Sequence, residues 1–381
     1  MNQAGTITAP KAATADLGTP NDQGKERRIL ALDGIRGVAC ILVIVSHFFG
    51  EVPHGVKASM VGWVGVDIFF VLSGFLIGRL ILEKKQHANF FSVFYVRRFW
   101  RIIPAYVLTV LAVSLLVQLC PPTWSDAHVR FPVWTYLAFL QGFWMTSTNS
   151  IGAHWLAPTW TLAVEEHFYL LAPVAIVFMP RRRLIGVLSA VCVAAAGLRG
   201  AALVSGPQAY MAGLALLPGR ADLLAYGILA AFLFQSGQWR RFLLALRWAP
   251  LVALVLTSAI GAASAPALYI LGPTIIGIGS ACLILCLAGD APEAATFKAR
   301  TLRFFGDNAY CLYLVHLPVL GLTHGLLLGA TPDLERTIQW PVTVAALLLS
   351  VLIGWAMTKT IEEPLTRYGR RWAWSGPKPA P

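Results

Sequence analysis

Apolar residues along the chain come in long runs, not in the alternation of a strand or the narrow stripe of a surface helix. A hydrocarbon core about 30 Å thick needs about 20 helical residues to cross it. Runs of about that length fall at 35–50, 61–82, 102–120, 159–179, 184–204, 213–234, 249–264, 268–288, 305–328 and 341–358. The pattern predicts an all-α, polytopic integral membrane bundle of about ten transmembrane helices. An eleventh run, 133–148, is shorter and contains Gln141, Thr146, Ser147 and Thr148. It is expected to be a re-entrant or interfacial element that enters and leaves from the outer face, shielded by protein because lipid cannot satisfy irregular backbone.

Charge sets the orientation. With ten spans and both termini cytoplasmic, 25 of the 30 Lys and Arg residues lie on the cytoplasmic side, the bias expected of an inserted membrane protein. Counting 133–148 as a full span would carry Arg181, Arg182 and Arg183 to the wrong side. Residues 1–28 are polar, with Pro10 and Pro20, and are expected to form a disordered cytoplasmic tail. The membrane domain is placed at 29–370, and 371–381 at a second cytoplasmic tail. The first apolar run begins late and lacks a cleavage pattern, so it is expected to serve as an uncleaved anchor.

Composition agrees. Of 381 residues, 57% are apolar and 13% charged, against about 45–50% and 25% in soluble domains. Those figures argue against a soluble enzyme, a disordered chain and a disulfide scaffold. A net charge of +12 would point to nucleic acid only if the basic residues shared one soluble face. Here they punctuate apolar runs, so the expected partner is the bilayer and not nucleic acid. The six cysteines lie in or beside spans and read as small packing residues. Cys282 and Cys286 share a helical face, yet no nearby His or carboxylate completes a site, so no metal is expected. The chain has no internal repeat, which weakens a transporter built from duplicated halves.

Ionisable groups at membrane depth are expensive and therefore candidates for function. Arg36 and His47 lie eleven residues apart in LDGIRGVACILVIVSH, about 16 Å and three turns along one helix face. A snorkelling anchor competes for Arg36, and a plain interhelical hydrogen bond for His47. In the second run, GWVGVDIFFVLSG, the small pair Ser73 and Gly74 reads first as a helix contact. The inner loop FFSVFYVRRFWRIIPAY sets Arg97, Arg98 and Arg101 among aromatic rings. Such arginines suit either the phosphates of a nucleotide donor or anionic lipid headgroups.

The densest cluster is HWLAPTWTLAVEEHFYLLAP. Glu165, Glu166 and His167 stand there between Trp155, Trp160 and Tyr169. Adjacent helical positions diverge by about 100°, so one carboxylate should face a polar cavity and another a neighbouring helix. Arg220 and Asp222 read as partners for other buried charges, and His316 as a lone hydrogen-bonding candidate.

Together these fragments resemble the membrane-bound acyltransferase-3 family, which includes bacterial O-antigen and exopolysaccharide O-acetyltransferases. The likeness covers about residues 28–370. It rests on Arg36 with His47, GVDIFFVLSGFLI at 65–77, FYVRRFWRIIPAY at 94–106, WTLAVEEHFYLLAP at 160–173, GRADLLAYG at 219–227 and YCLYLVHLP at 310–318, in that order. His167 departs from the pattern, standing where Gln is common. The chain ends soon after the tenth run, so the hydrolase-like extra domain that some members append is expected to be missing.

The resemblance implies O-acyl transfer from a cytoplasmic acyl-CoA, acetyl-CoA by default, to a hydroxyl of a carbohydrate acceptor. It implies a bacterial inner-membrane, multi-pass location and no bound cofactor. His47, Glu165 and Arg36 are the expected catalytic residues, with His47 as base or transient acyl carrier. Arg97, Arg98, Arg101 and Ser73 are expected to bind the donor. Glu166, His167, Trp160, Tyr169 and His316 are expected to shape the acceptor pocket. Assembly as a homo-oligomer stays open. The rival reading is a proton-coupled glycan or lipid transporter or flippase that uses the buried Glu and His as a relay.

Overall fold

The computed structural model describes residues 28–125 and 129–376. The segments 1–27 and 377–381, which hold most of the first expected tail and the end of the second, lie outside the described residues. Among the described residues, ten helices are long and apolar enough to cross a membrane. They are α1 (Leu30–Val45), α2 (Gly62–Lys84), α3 (Phe90–Leu119), α4 (Thr159–Phe178), α5 (Arg181–Ser205), α6 (Leu217–Ser236), α7 (Leu243–Ala263), α8 (Ala265–Ala288), α9 (Arg300–Leu328) and α10 (Gln339–Met357). Each apolar run of the sequence falls on one of them. The protein is an all-helical, multi-pass membrane bundle.

Short polar or glycine punctuation ends the helices. Gly237 and Gly329 close α6 and α9 in the left-handed region, at φ 69° and 67°, where a residue without Cβ carries no penalty. The run at 133–148 does not form a span. It folds as two short helices, Val133–Leu137 and Gln141–Thr148. The buried Gln141 anchors the second, donating through Nε2 to the Thr159 carbonyl at 2.8 Å. Tyr106 of α3 stacks on Phe139 between the two, with ring centroids 4.5 Å apart.

The centre of the bundle is built by α1, α2, α6 and α9, with α1 against α9 and α2 against α6. About 67% of the apolar window of α9 is buried, against 11% of that around α7, which places α7 at the lipid-facing edge. Glycine allows both central crossings. A Cβ on Gly37 would sit 1.9 Å from the Leu302 carbonyl oxygen, and one on Gly74 2.1 Å from that of Leu224. Such close backbone approach is how helices pack when lipid offers no hydrophobic drive between them.

Two helices change pitch. α1 runs into a π-helical turn at Ser46–Gly50, and α10 into another at Thr358–Glu362. Each inserts one residue per turn and re-aims the side chains it carries. The first holds His47 and the second holds Glu362. After α10, a short helix, Glu363–Gly369, leads to a segment that folds back on the start of α3. There Trp374 stacks on Phe90 at 6.0 Å, and Asn89 donates to the Ala373 carbonyl at 3.0 Å.

Candidate active site

The ends of the ten helices sort the basic residues. Arg79, Lys84, Lys85, Arg181, Arg182, Arg183, Arg300 and Arg303 all lie at one end of the bundle. From that end a column of polar side chains runs inward between the central helices.

Its basic part is Arg36 on α1 with Arg98 and Arg101 on α3. Arg36 donates to Asp33 Oδ1 at 3.4 Å, and Arg101, Tyr169 and Glu362 lie within electrostatic reach of it. The Arg98 guanidinium sits 5.0 Å over the ring of Tyr169 and 5.9 Å over that of Phe94. Arg97 takes another direction, since one position along a helix turns the side chain by about 100°. It donates to the Trp372 carbonyl at 3.0 Å and lies 4.9 Å over the Trp374 ring. The structure therefore brings Arg36, Arg98 and Arg101 together and sets Arg97 against the returning C-terminal segment.

Deeper in the bundle, Ser73 of α2 donates its hydroxyl to Glu165 Oε1 of α4, and the Tyr169 hydroxyl lies 3.4 Å from the same Ser73 oxygen. The neighbouring pair Ser73 and Gly74 thus divides its work. Gly74 admits α6, and Ser73, one position round the helix, meets the carboxylate. Arg98 and Arg101 lie within electrostatic reach of Glu165, which offsets the cost of a carboxylate at this depth. Glu166 lies within electrostatic reach of Glu165 and Arg98 as well as of Tyr106 and Tyr310. His167 is half-buried against Phe143, with centroids 6.2 Å apart. Trp160 packs on Phe70 at 6.1 Å and beneath the Arg220 guanidinium at 5.7 Å.

Tyr313 of α9 continues the column. Its hydroxyl lies 2.9 Å from Thr161 Oγ1 and donates to the Pro158 carbonyl at 3.1 Å. One turn further on α9, the fully buried His316 places Nε2 at 2.8 Å from Nδ1 of His47. At the far end, His47 Nε2 faces Glu51 Oε2 at 3.5 Å, and Ser46 holds Glu51 by donating to Oε1 at 2.7 Å. His154 lies within electrostatic reach of both imidazoles. Arg36, Ser73, Arg98, Glu165, Tyr313 and His47 all retain some accessible surface.

Chemically, the column sets guanidinium groups at one end, imidazoles at the other and hydroxyls between them, groups able to pair with phosphate, exchange a proton and donate hydrogen bonds. Sequence reasoning missed Tyr313, Glu51, His154 and Glu362. Tyr313 could have been found one turn before His316, on the same helical face. The partners of Arg220 and Asp222 are now explicit. Arg220 donates to Asp67 Oδ1 at 3.2 Å. Asp222 takes a two-point contact from Arg199, at 3.1 and 2.8 Å, and both of those side chains are fully buried. These pairs pin α2 and α5 to α6, beside the column.

Outside the spans, His54 and Asp333 join the loop after α1 to the loop after α9. His54 Nδ1 lies 2.9 Å from Asp333 Oδ1, and Leu334 N–H donates to the Pro53 carbonyl at 3.1 Å. The hydrogen bond to Asp333 and its negative charge raise the His54 imidazole above its ordinary value. Asp333 is slightly desolvated, but hydrogen bonds from His54 and from the N–H groups of Glu335 and Leu334 bring its carboxyl below the usual range.

A family profile described as "Acyltransferase domain" matches residues 29–359. The chain is 29% identical over 369 residues to "Peptidoglycan O-acetyltransferase OatA" of Listeria monocytogenes, covering 89% of this chain and 56% of that protein. It is 28% identical over 370 residues to "Putative peptidoglycan O-acetyltransferase YrhL" of Bacillus subtilis, covering 91% and 56%. The chain thus spans little more than half the length of these relatives. It is also 30% identical over 163 residues to "O-acetyltransferase OatA" of Staphylococcus aureus, covering 41% and 26%. No solved structure matches. With the profile covering nearly the whole bundle and every part of the polar column but Glu362, the chain belongs to the membrane-bound acyltransferase-3 family.

Proposed function

We propose that the protein is a membrane-embedded O-acyltransferase of the bacterial inner membrane. It moves an acetyl group from acetyl-CoA at the cytoplasmic face to a hydroxyl of a cell-envelope glycan, with peptidoglycan the foremost acceptor. The charge bias of inserted proteins supports reading the basic end of the bundle as the cytoplasmic end, with both termini inside. The acetyl group and the peptidoglycan acceptor rest on the names its relatives carry.

The observation that carries this reading is the column itself, basic where a phosphorylated donor arrives and imidazole-lined where the outer face begins. Arg98, Arg101 and Arg36 take the donor phosphates as bidentate contacts, and Arg97 holds the rim of the mouth. The thioester end of the donor extends up the column past Tyr169. As the donor arrives, Ser73 turns its one hydroxyl hydrogen from Glu165 to the thioester carbonyl oxygen, where negative charge develops. His47 removes the proton of the acceptor hydroxyl as its oxygen attacks the thioester carbon. The C–S bond breaks, and the proton passes to the departing thiolate to give free CoA. Trp160, His167 and Glu166 surround the route by which the acceptor enters, flat rings suiting the apolar faces of sugars.

Membrane vesicles containing the protein, supplied with acetyl-CoA labelled in the acetyl group, test the reading. Label is expected to leave CoA and appear as an ester on the glycan fraction. Glycan that crosses the membrane while all label stays on CoA would replace acyl transfer with the transport reading.

A further inference from the structure

The contact between His47 and His316 fixes where the protons lie. His316 Nδ1 is 2.7 Å from the carbonyl oxygen of Tyr313, which can only accept. Nδ1 of His316 therefore carries hydrogen. In neutral His316, Nε2 is then a bare acceptor, and the nitrogen 2.8 Å away, Nδ1 of His47, must be the donor. That leaves Nε2 of His47 with its lone pair, directed to the outer end of the column. Its neighbour there, Glu51 Oε2, stands 3.5 Å off, beyond a normal hydrogen bond.

Resting on the acyl-transfer reading above, we propose that His47 and His316 form a two-imidazole proton relay, in which His316 stores the proton withdrawn from the acceptor hydroxyl. When the hydroxyl O–H bond breaks, its proton goes to Nε2 of His47. The hydrogen on Nδ1 of His47 crosses to Nε2 of His316 in the same motion. The positive charge then sits on His316, whose two N–H groups donate to the Tyr313 carbonyl and back to His47. The new C–O ester bond forms, the thioester C–S bond breaks, and the thiolate leaves. The two protons retrace the relay, one reaching sulfur, and both rings return to their starting tautomers. The net change is one hydroxyl and one thioester converted to one ester and one thiol. His316 touches no substrate in this scheme and acts through His47, as a positioning and proton-holding residue. His154, Glu51 and Tyr313, whose ring centroid is 5.5 Å from that of His316, are ionisable groups near the pair, and none lies between the two rings, which meet at 2.8 Å.

The test is a single-turnover measurement of acetyl loss from saturating acetyl-CoA in mixtures of light and heavy water. It uses the full chain in detergent, as wild type and as His316→Asn. The amide oxygen of Asn can still accept from His47 Nδ1 but cannot carry the proton onward. The wild type is expected to give a bowed rate plot, because two protons move together. His316→Asn is expected to lose about 10²-fold in rate, with acetyl-CoA KM within twofold and a linear plot. A linear plot for wild type, undiminished turnover in His316→Asn, or a slow variant whose plot stays bowed would each overturn the relay. Since the wild-type plot alone can refute it, the test holds even if the variant fails to fold. A wild type that leaves all label on CoA would instead overturn the acyl-transfer reading.

Discussion

Ser73 on α2 donates to Glu165 on α4 midway along the polar column, and the same hydroxyl lies 3.4 Å from that of Tyr169. Ser73 has one hydroxyl hydrogen, so Glu165 holds its side chain in register until the donor arrives and Ser73 must then turn that hydrogen to the substrate carbonyl. Ser73→Ala removes the donor and is expected to lower kcat about 10²–10³-fold, with little change in acetyl-CoA KM. Glu165→Gln keeps the shape but loses the charge that faces Arg98 and Arg101, and should depress kcat and raise KM together. Steady-state kinetics on detergent-purified variants distinguishes the two patterns.

The pair Arg199 and Asp222 predicts a stability effect separable from chemistry. Both side chains are fully buried, and Arg199 also donates to the Gly219 and Ile270 carbonyls and to Thr274. Removing one partner strands the other charge, at a cost of about 3–5 kcal/mol. Arg199→Met and Asp222→Leu should each lower the thermal midpoint in detergent sharply. The double variant should recover most of the loss, which thermal unfolding monitored by light scattering would reveal.

Gly37 is predicted to tolerate no side chain. A Cβ there meets the Leu302 carbonyl oxygen at 1.9 Å, whereas one at Gly197 meets nothing within 4 Å. Gly37→Val should force α1 away from α9, separating His47 from His316, and cost both stability and turnover. Gly197→Ala in α5 is the matched control and should leave both unchanged. Comparing yield, thermal midpoint and turnover for the two checks this.

The latch between the loops after α1 and α9 should depend on pH. The His54 value is raised by Asp333, so its contribution is complete below the ordinary imidazole value and disappears as pH rises through the raised one. The Asp333 value is lowered, so its contribution is complete above the ordinary carboxylate value and disappears as pH falls through the lowered one. The latch is therefore tightest in mildly acidic solution. Hydrogen exchange at residues 52–56 and 333–335 should accelerate from pH 6 to pH 9 beyond the intrinsic change, and His54→Ala should abolish the difference.

The ten spans are legible in the sequence because a hydrocarbon slab imposes a length on any helix that crosses it. Burial cost alone marks Arg36, His47 and Glu165. What stays hidden is which helix faces which. Periodicity within α9 marks a face for His316 but does not say that His47 waits across it. The π turn at Ser46–Gly50 has no composition of its own, so the final aim of His47 cannot be computed from a regular 3.6-residue repeat. Arg199 is a single charge in an apolar run, and its partner lies 23 residues away on another helix. The divergence of Arg97 from Arg98 and Arg101 was implicit in helical geometry. Its destination, the returning segment near Trp372, depends on tertiary packing that sequence spacing does not encode.

If the column transfers an acetyl group by way of His47, losing that imidazole must stop the transfer. The direct measurement follows labelled acetyl-CoA to glycan ester in vesicles holding wild type or His47→Ala at equal, correctly folded levels. Ester formation is expected from wild type and a loss of at least about 10²-fold in the variant, with acetyl-CoA binding retained. Ester formation by His47→Ala at the wild-type rate would contradict that role of His47.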